Sequence, residues 1–557
     1  MKRRCMMLFW MLAALTLIGG QYEDRWFYVS RNLNTDQDLA DVEELVRTAG
    51  KVNLNGMLFA CGVEGYSGWS ANKKARLAQL KKTCEANGVE IIPIIWSIGY
   101  GTMLGRNHNY VEGLLCKDIP YVAKGGKAFL NREDAPAIVN GDFEQHDGDS
   151  FPNIGWIDAA GKRSFADTTV VHGGKCAVRL ENFAEDKHGH GRICMKVKLT
   201  PNRRYRMKVF AKSEGLVPNK GKFMLQFYGT NGSQKSAVTP DIAPTQDWKE
   251  YHLVFSSGDM TEGLMYVGMW GGVDGKLWID DITLETDGVS DVIRRDGTPF
   301  TVKNAKTGEV YVEGRDYGKV EGLKSLSSSP KESLVLDLPE GSRIHDGDEL
   351  LISFYQPARA GAWQYSTCMS EPAVYEEFRR SARDIMEALN PRKWFLSMDE
   401  VRAGGTCAAC EARHTDMAHI LGDCITKQRQ IIKEVRPDAE IYIWSDMLDP
   451  NHNAHDSYYN CKGTFEGSWN LIPKDIIISC WYHKKRELSM PFFEKLGFRT
   501  QAAAYYDSNS LDSSCEWLET CNHTKNCTGI MYTSWQRKYA LLEDFGKMVQ
   551  EYSKPVE

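Results

Sequence analysis

Eight short apolar runs, most of them followed by an amphipathic stretch, constrain the fold of this 557-residue chain more than any other feature. The first run is Trp26 to Ser30, and the segment Asp36 to Ala49 that follows places Leu39, Val42, Leu45 and Val46 on one helical face. Gly56 to Ala60, a helix around Lys73 to Ala86, and Val89 to Trp96 supply a second unit and a third strand. The rhythm then stops and resumes at Val374 to Leu389, where Val374, Phe378, Ala382, Ile385, Met386 and Leu389 form one apolar stripe. Trp394 to Met398, Ile441 to Trp444, Ile476 to Trp481, Thr500 to Tyr505 and Ile530 to Tyr532 are strands four to eight. Helical stretches at Thr415 to Val435, Lys485 to Leu496 and Tyr539 to Tyr552 accompany them. Near-continuous apolar runs belong to strands buried on both faces, hence to a parallel sheet. Eight of them alternating with helices predict an α/β fold, a (β/α)8 TIM barrel built from residues 21–136 (strands 1–3) and 366–557 (strands 4–8). A doubly wound open sheet is the competing arrangement, but it needs fewer strands and a glycine-rich first turn that is missing here.

The interruption has a different period. From Asn140 to Glu285 apolar and polar residues alternate, as in Arg204-Tyr205-Arg206-Met207-Lys208-Val209-Phe210, with turn residues between the runs. An all-β sandwich is expected over 137–288, followed by a small β-rich element over 289–365 with turns at Gly297, Gly308 and Gly314. Both fall after strand three, in a loop that opens on the C-terminal face of a barrel, where active sites are built. The insert is therefore expected beside the site.

Composition sets the surroundings. The chain exceeds what one core holds, and 42% hydrophobic with 25% charged residues excludes long disorder, collagen and coiled coil. Lys2, Arg3 and Arg4 precede an apolar run from Met6 to Ile18 and then Gly19-Gly20, the pattern of a signal peptide over residues 1–20, so a secreted or periplasmic protein is expected. Without those three cations, 65 Lys and Arg face 74 Asp and Glu, a net charge of −9 that argues against nucleic acid and anionic membrane as partners. The oligomeric state is left open. Fifteen cysteines suit an oxidising compartment. Cys407-Ala-Ala-Cys410 with His414 nearby invites a zinc reading, yet no second pair at metal-ligand spacing completes four ligands, so a disulfide or loop thiols are expected and no metal or cofactor.

If the barrel holds, site residues lie at the C-terminal strand ends. They are Arg31 after strand one, Trp96 after three, Asp399, Glu400 and Arg402 after four, and Trp444 and Asp446 after five. Trp481 and His483 follow strand six, Tyr505, Tyr506 and Asp507 strand seven, and Tyr532 and Trp535 strand eight. Aromatic walls with carboxylates suit a sugar site, because sugar rings lay C–H faces on aromatic planes and glycosidic bonds break under acid catalysis. The competing reading makes these aromatics caps on the barrel core. Asp-Glu also occurs at Asp348-Glu349, which reads as a solvated turn, whereas Asp399-Glu400 ends a buried strand where two acids are costly without a purpose.

The Asp399-Glu400 strand end, the Arg after strand one, Trp and Asp at strand five, Tyr after seven and Trp at eight resemble the barrel of family 20 glycoside hydrolases, the β-N-acetylhexosaminidases. The resemblance implies Glu400 as general acid/base and Asp399 as the carboxylate orienting a substrate 2-acetamido group, with Arg31, Asp446, Tyr505 and Trp535 in sugar contacts. Phe395-Leu396-Ser397-Met398 stands where that family has His and Gly-Gly, and Trp535-Gln536 where it often has Trp-x-Glu. The chain also resembles a group of exported barrel proteins that pair an Asp-Glu-[Ile/Val]-Arg strand end with Trp-Ser-Asp-Met and an inserted carbohydrate-binding domain. In the insert, Asn140-Gly141-Asp142-Phe143-Glu144, Gly173-Gly174-Lys175-Cys176-Ala177, Asp247-Trp248 and Leu277-Trp278-Ile279-Asp280-Asp281-Ile282 are similar to jelly-roll modules of the galactose-binding type. Tyr228, Trp248 and Trp270 are candidates for stacking on sugar, the alternative being a sandwich that only props the barrel loop.

The expected function is a secreted glycoside hydrolase acting on an oligo- or polysaccharide, with Glu400 as acid/base and Asp399 assisting in a substrate-assisted retaining mechanism. Two alternatives stand beside it: a retaining glycosidase with Asp507 as nucleophile, and a non-catalytic glycan-binding protein on a barrel scaffold. No GxSxG, P-loop or HExxH is present, and Gly99 to Gly105 misses dinucleotide spacing, reading instead as a flexible turn over the site.

Overall fold

A computed structural model describes residues 22–101, 107–132, 138–217, 221–326, 331–360 and 364–554. The expected signal segment lies outside the described residues, as does part of the Gly99 to Gly105 turn. Among the described residues no helix is long and apolar enough to cross a membrane.

Eight parallel strands close into a barrel: β1 (Asp24–Ser30), β2 (Gly56–Ala60), β3 (Glu90–Ile95), β4 (Lys393–Leu396), β5 (Glu440–Trp444), β6 (Ile476–Cys480), β7 (Thr500–Tyr505) and β8 (Cys527–Thr533). The closing pair is β1 with β8, in register Asp24↔Gly529. Trp26, Tyr28, Leu58, Ile92, Phe395, Tyr442, Trp444, Ile477, Ala503 and Met531 fill the interior, while alternate residues such as Phe27, Val29, Met57 and Ile478 face the surrounding helices. The helix Asp36–Lys51 shows why the local sequence folds this way. Thr35 Oγ1 accepts from the Asp38 N–H at 3.1 Å and the Asp38 carboxylate accepts from the Thr35 N–H at 3.0 Å, a capping box worth about 1 kcal/mol. At the N-terminal end of the strands, buried Asp24 receives Lys393 Nζ at 2.6 Å and the Tyr442 hydroxyl at 2.8 Å, so β1, β4 and β5 are tied below the interior. The link from β5 to β6 carries 3-10 turns at Asp446–Leu448 and Ser468–Asn470.

Between β3 and β4 the chain forms two further bodies. Two five-stranded antiparallel sheets, one centred on Asp274–Thr286 and the other on Glu262–Trp270, enclose Phe143, Met207, Val209, Leu225, Phe227, Leu253, Val267 and Ile279. At the base of this sandwich, buried Asp287 pairs with Arg204 at 2.7 Å and Arg206 at 3.0 Å. A six-stranded sheet carries Thr301–Asn304 and Glu349–Pro357, and it corrects one expectation. Residues 113–130, assigned above to the first part of the barrel, form the hairpin Gly113–Lys124 and Lys127–Leu130, and this hairpin pairs with Glu349–Pro357 in the smaller sheet. The physical reason is in the strand: Ile119, Tyr121 and Ala123 alternate inward against the core formed by Val302, Leu350 and Ile352, a period of two that a barrel helix cannot use. The sandwich is thus inserted into the small sheet, and the small sheet into the barrel.

Candidate active site

The C-terminal ends of the strands open into a cleft of about 1010 Å³. Its walls include Tyr28 from β1, Glu64 after β2, Tyr100 after β3, Asp399 and Glu400 after β4, and Trp444, Trp481, Tyr506 and Trp535 from the ends of β5 to β8. Eight strands thus deliver aromatic faces and acids to one space.

Glu400 sits at the centre of the polar contacts. One carboxylate oxygen receives the Tyr100 hydroxyl and the other pairs with Arg402 Nη2 at 3.0 Å. Its backbone is left-handed (φ 48°), and its N–H donates to Asp446 Oδ2 at 2.8 Å. Asp446 also accepts from Asn453 Nδ2 at 2.9 Å and Trp481 Nε1 at 3.4 Å. Asp399 accepts from Ser397 Oγ at 2.9 Å. Burial pushes the Asp399 carboxyl up to about 6, with the Glu400 charge adding to it. Burial likewise pushes Asp446 up to about 7, helped by the charge of Asp399. Glu64 is raised by burial and accepts from the Trp96 N–H at 3.3 Å. Several acids that resist ionising together can hold a proton near neutral pH, which is what acid catalysis requires. Non-glycine left-handed residues recur at strand ends, at Trp96, Glu400, Tyr505, Tyr506 and Asp507. Such conformations cost on the order of 1 kcal/mol or more each and gather where function holds them.

Of the residues expected from sequence, Asp399, Glu400, Trp444, Trp481, Tyr506 and Trp535 line the cleft, while Arg402 and Asp446 hold Glu400 from behind. Six do not line it. Trp96 is fully buried against Phe378, ring centroids 4.6 Å apart, and its indole N–H donates to Ser381 at 2.6 Å; the left-handed turn at Trp96 sends the ring outward into the helix layer. Arg31 is held on the first helix by Asp41 at 2.9 Å and Asp38 at 3.6 Å. His483 pairs with Glu516 at 2.9 Å. Tyr505 and Tyr532 stack on each other in the buried layer, 4.0 Å apart. Asp507 caps the following turn, accepting from Ser534 Oγ at 2.7 Å and from the Trp535 and Gln536 N–H groups at 3.0 and 3.2 Å. Tyr28, Glu64 and Tyr100 were not anticipated. The inward alternation Trp26, Tyr28 in β1 carried the signal for one of them; Tyr100 is set by tertiary packing.

Gly99 explains why the turn after β3 is rich in glycine. A Cβ there would lie 1.9 Å from the Asp399 carbonyl oxygen, so the turn packs directly on the Asp399–Glu400 backbone. Gln364 Nε2 bridges the same place, donating to Gly99 O at 3.2 Å and Glu400 O at 3.0 Å.

On the sandwich, Trp156, Tyr266 and Tyr228 form a row, centroids 5.6 and 5.2 Å apart, with Arg192 over Trp156. Trp270 is edge-on to His190, and Trp248 lies beside His172 on the other sheet. Residues 135–274 match a family model described as a carbohydrate binding domain. The match falls on the inserted sandwich. Among solved structures the chain is similar to TmCBM61 in complex with β-1,4-galactotriose (18% identity, 27% of this chain and 99% of that one, TM-score 0.23). It is also similar to a rhamnosidase from Novosphingobium sp. PP1Y (9%, 95% and 59%, TM-score 0.33) and to a β-N-acetylhexosaminidase (13%, 35% and 45%, TM-score 0.27). No curated protein matches the chain.

Proposed function

We propose that the protein is an exported glycoside hydrolase in which Glu400 is the general acid/base and the carbohydrate-binding domain holds the substrate polymer near the cleft. The observation that carries this reading is the placement of Glu400 in an aromatic-walled cleft, its two oxygens held by Tyr100 and Arg402 and its backbone by Asp446. Glu400 donates its proton to the glycosidic oxygen as the bond breaks and recovers one from the water that completes hydrolysis. Asp399 orients a 2-acetamido group whose carbonyl oxygen attacks the anomeric carbon, the route implied by the resemblance to β-N-acetylhexosaminidases. The aromatic faces of Tyr28, Trp444, Trp481, Tyr506 and Trp535 supply the planes on which sugar rings stack.

Asp507 fits the nucleophile role less well. Its carboxylate is engaged by three donors of the β8 turn, and it does not line the cleft.

The test is a screen of wild type and Glu400→Gln against aryl N-acetylglucosaminides, N-acetylgalactosaminides, galactosides and glucosides. Turnover of an N-acetylhexosaminide by wild type, lowered at least ~100-fold in the variant, is expected. Failure of every substrate, or equal rates in both proteins, overturns the catalytic assignment in favour of glycan binding without turnover.

A further inference from the structure

Away from the cleft, four buried groups converge: Cys368, Cys407, Cys410 and Glu112, whose ligand atoms all lie within 4.8 Å of one another. Cys368 Sγ is 3.6 Å from Cys407 Sγ and 3.8 Å from Cys410 Sγ, and Cys410 Sγ is 3.5 Å from Glu112 Oε2. Tetrahedral zinc with Zn–S near 2.3 Å and Zn–O near 2.1 Å requires S···S edges of about 3.8 Å and S···O edges of about 3.6 Å. The observed separations match those edges, whereas a disulfide draws two sulfurs to about 2.05 Å. We propose that these residues form a closed, structural Cys3Glu zinc site.

Three further features support it. Glu112 is fully buried, and its Oε1 is already held by the Thr406 and Cys407 N–H groups, both at 2.9 Å, and by Thr406 Oγ1 at 3.0 Å. Oε2 is left facing the Cys410 sulfur, the position of a fourth ligand. A buried carboxylate is costly unless it is paired or coordinates a metal. Second, Arg295 lies within electrostatic range of Cys368, Cys407 and Glu112, which suits a cluster whose four anionic ligands exceed the charge of one divalent ion. Its Nε is held by Glu371 at 2.7 Å, and its buried Nη2 has no hydrogen-bond partner among the described residues. Third, a disulfide between any two of the sulfurs leaves the third thiol and the carboxylate buried without a purpose, and no disulfide joins Cys368, Cys407 or Cys410 in the structure.

The site joins three separate segments. Glu112 lies where the chain leaves the barrel for the small sheet, and Cys368 lies where it returns, its N–H donating to Tyr110 O at 2.9 Å. Cys407 and Cys410 belong to the loop after β4 that carries Asp399, Glu400 and Arg402. Zinc there would lock the catalytic loop to the stalk of the insert. His414, the nearer ligand by sequence, is not in the cluster.

The test is metal analysis of the full chain, purified under reducing conditions without chelator and dialysed against metal-free buffer, joined to zinc K-edge absorption. About 1 equivalent of zinc is expected, with a first shell of three sulfurs near 2.3 Å and one oxygen near 2.0 to 2.2 Å. Cys410→Ser and Glu112→Gln should lose most of the zinc, and the wild-type absorption spectrum keeps the proposal testable if a variant fails to fold. Three results overturn it: no zinc bound after growth in zinc-supplemented medium, a first shell of nitrogen and oxygen only, or an intact mass lower by two hydrogens with a disulfide mapped to these cysteines.

Discussion

The Glu400 N–H donates to Asp446 Oδ2 at 2.8 Å, so the acid at the end of β4 is positioned by the acid at the end of β5. Asp446 is fully buried and its carboxyl is pushed up to about 7, first by burial and then by the charge of Asp399. A carboxyl whose folded pKa lies above its unfolded value near 3.8 binds its proton more tightly when folded. The folded state then holds more protons than the unfolded one between about pH 4 and 7, so stability falls as pH rises through that window. Asp446→Asn keeps an acceptor for the Glu400 N–H and removes the titration. At pH 8 the variant should be more stable than wild type, on the order of 2 kcal/mol by denaturant melts, with no gain at pH 4. A gain that is equal at both pH values would show that Asp446 does not titrate in this way.

Gly99→Ala probes the packing of the β3 turn on the β4 loop. The added methyl meets the Asp399 carbonyl oxygen at 1.9 Å and the Glu400 carbonyl oxygen at 2.7 Å, both backbone atoms that cannot swing aside. The β4 loop must move, and a displacement of about 1 Å at a catalytic group costs up to ~100-fold in rate. We expect kcat to fall at least ~10-fold while the melting transition stays cooperative. Unchanged kcat would mean that Glu400 tolerates displacement of its backbone.

Trp96 and Tyr506 make opposite predictions from similar positions in sequence. Trp96 is buried on Phe378 with its indole N–H on Ser381, so Trp96→Phe opens a gap and loses a hydrogen bond, at a cost of about 2 kcal/mol with KM changed less than ~3-fold. Tyr506 is 54% exposed and parallel to Trp481, with 6.1 Å between ring centroids, so Tyr506→Ala should leave stability within about 0.5 kcal/mol. It removes one wall of the cleft, and KM should rise about 3- to 10-fold. Kinetics and chemical denaturation of both variants decide the matter; a raised KM with Trp96→Phe would return that residue to the substrate.

The contrast shows what the sequence could carry. Strand periodicity is local, so β2 and β7 fall on the residues read from apolar runs, Gly56–Ala60 and Thr500–Tyr505. Asp399-Glu400 was legible because two acids ending a buried strand are costly. Side-chain direction at a strand end is not local. The left-handed turn at Trp96 removes its ring from the cleft, and Asp507 turns to cap the β8 loop instead of lining the cleft. The membership of residues 113–130 in the small sheet escaped for the same reason, since beyond its own hairpin the strand Gly113–Lys124 pairs with Glu349–Pro357, across the whole sandwich. Tyr100 reaches Glu400 only because Gly99 lets the turn pack against the β4 backbone.

The row Trp156, Tyr266, Tyr228 supplies the last prediction. Trp156 is 40% exposed at the edge of its sheet, with Arg192 over its ring and Tyr266 edge-on at 5.6 Å. A face of this kind offers sugar a flat apolar plane with a polar handle beside it. Trp156→Ala leaves the sandwich core intact, because the residue lies outside the cluster around Phe227 and Val267. Affinity for a soluble polysaccharide, measured by affinity electrophoresis, should fall about 10-fold, within the 0.5 to 1.5 kcal/mol of an aromatic contact. Turnover of a small aryl glycoside, which engages only the barrel cleft, should stay unchanged. Loss of both together would place Trp156 in the path of folding instead of binding, and loss of neither would move sugar recognition to the opposite sheet, where Trp248 packs beside His172.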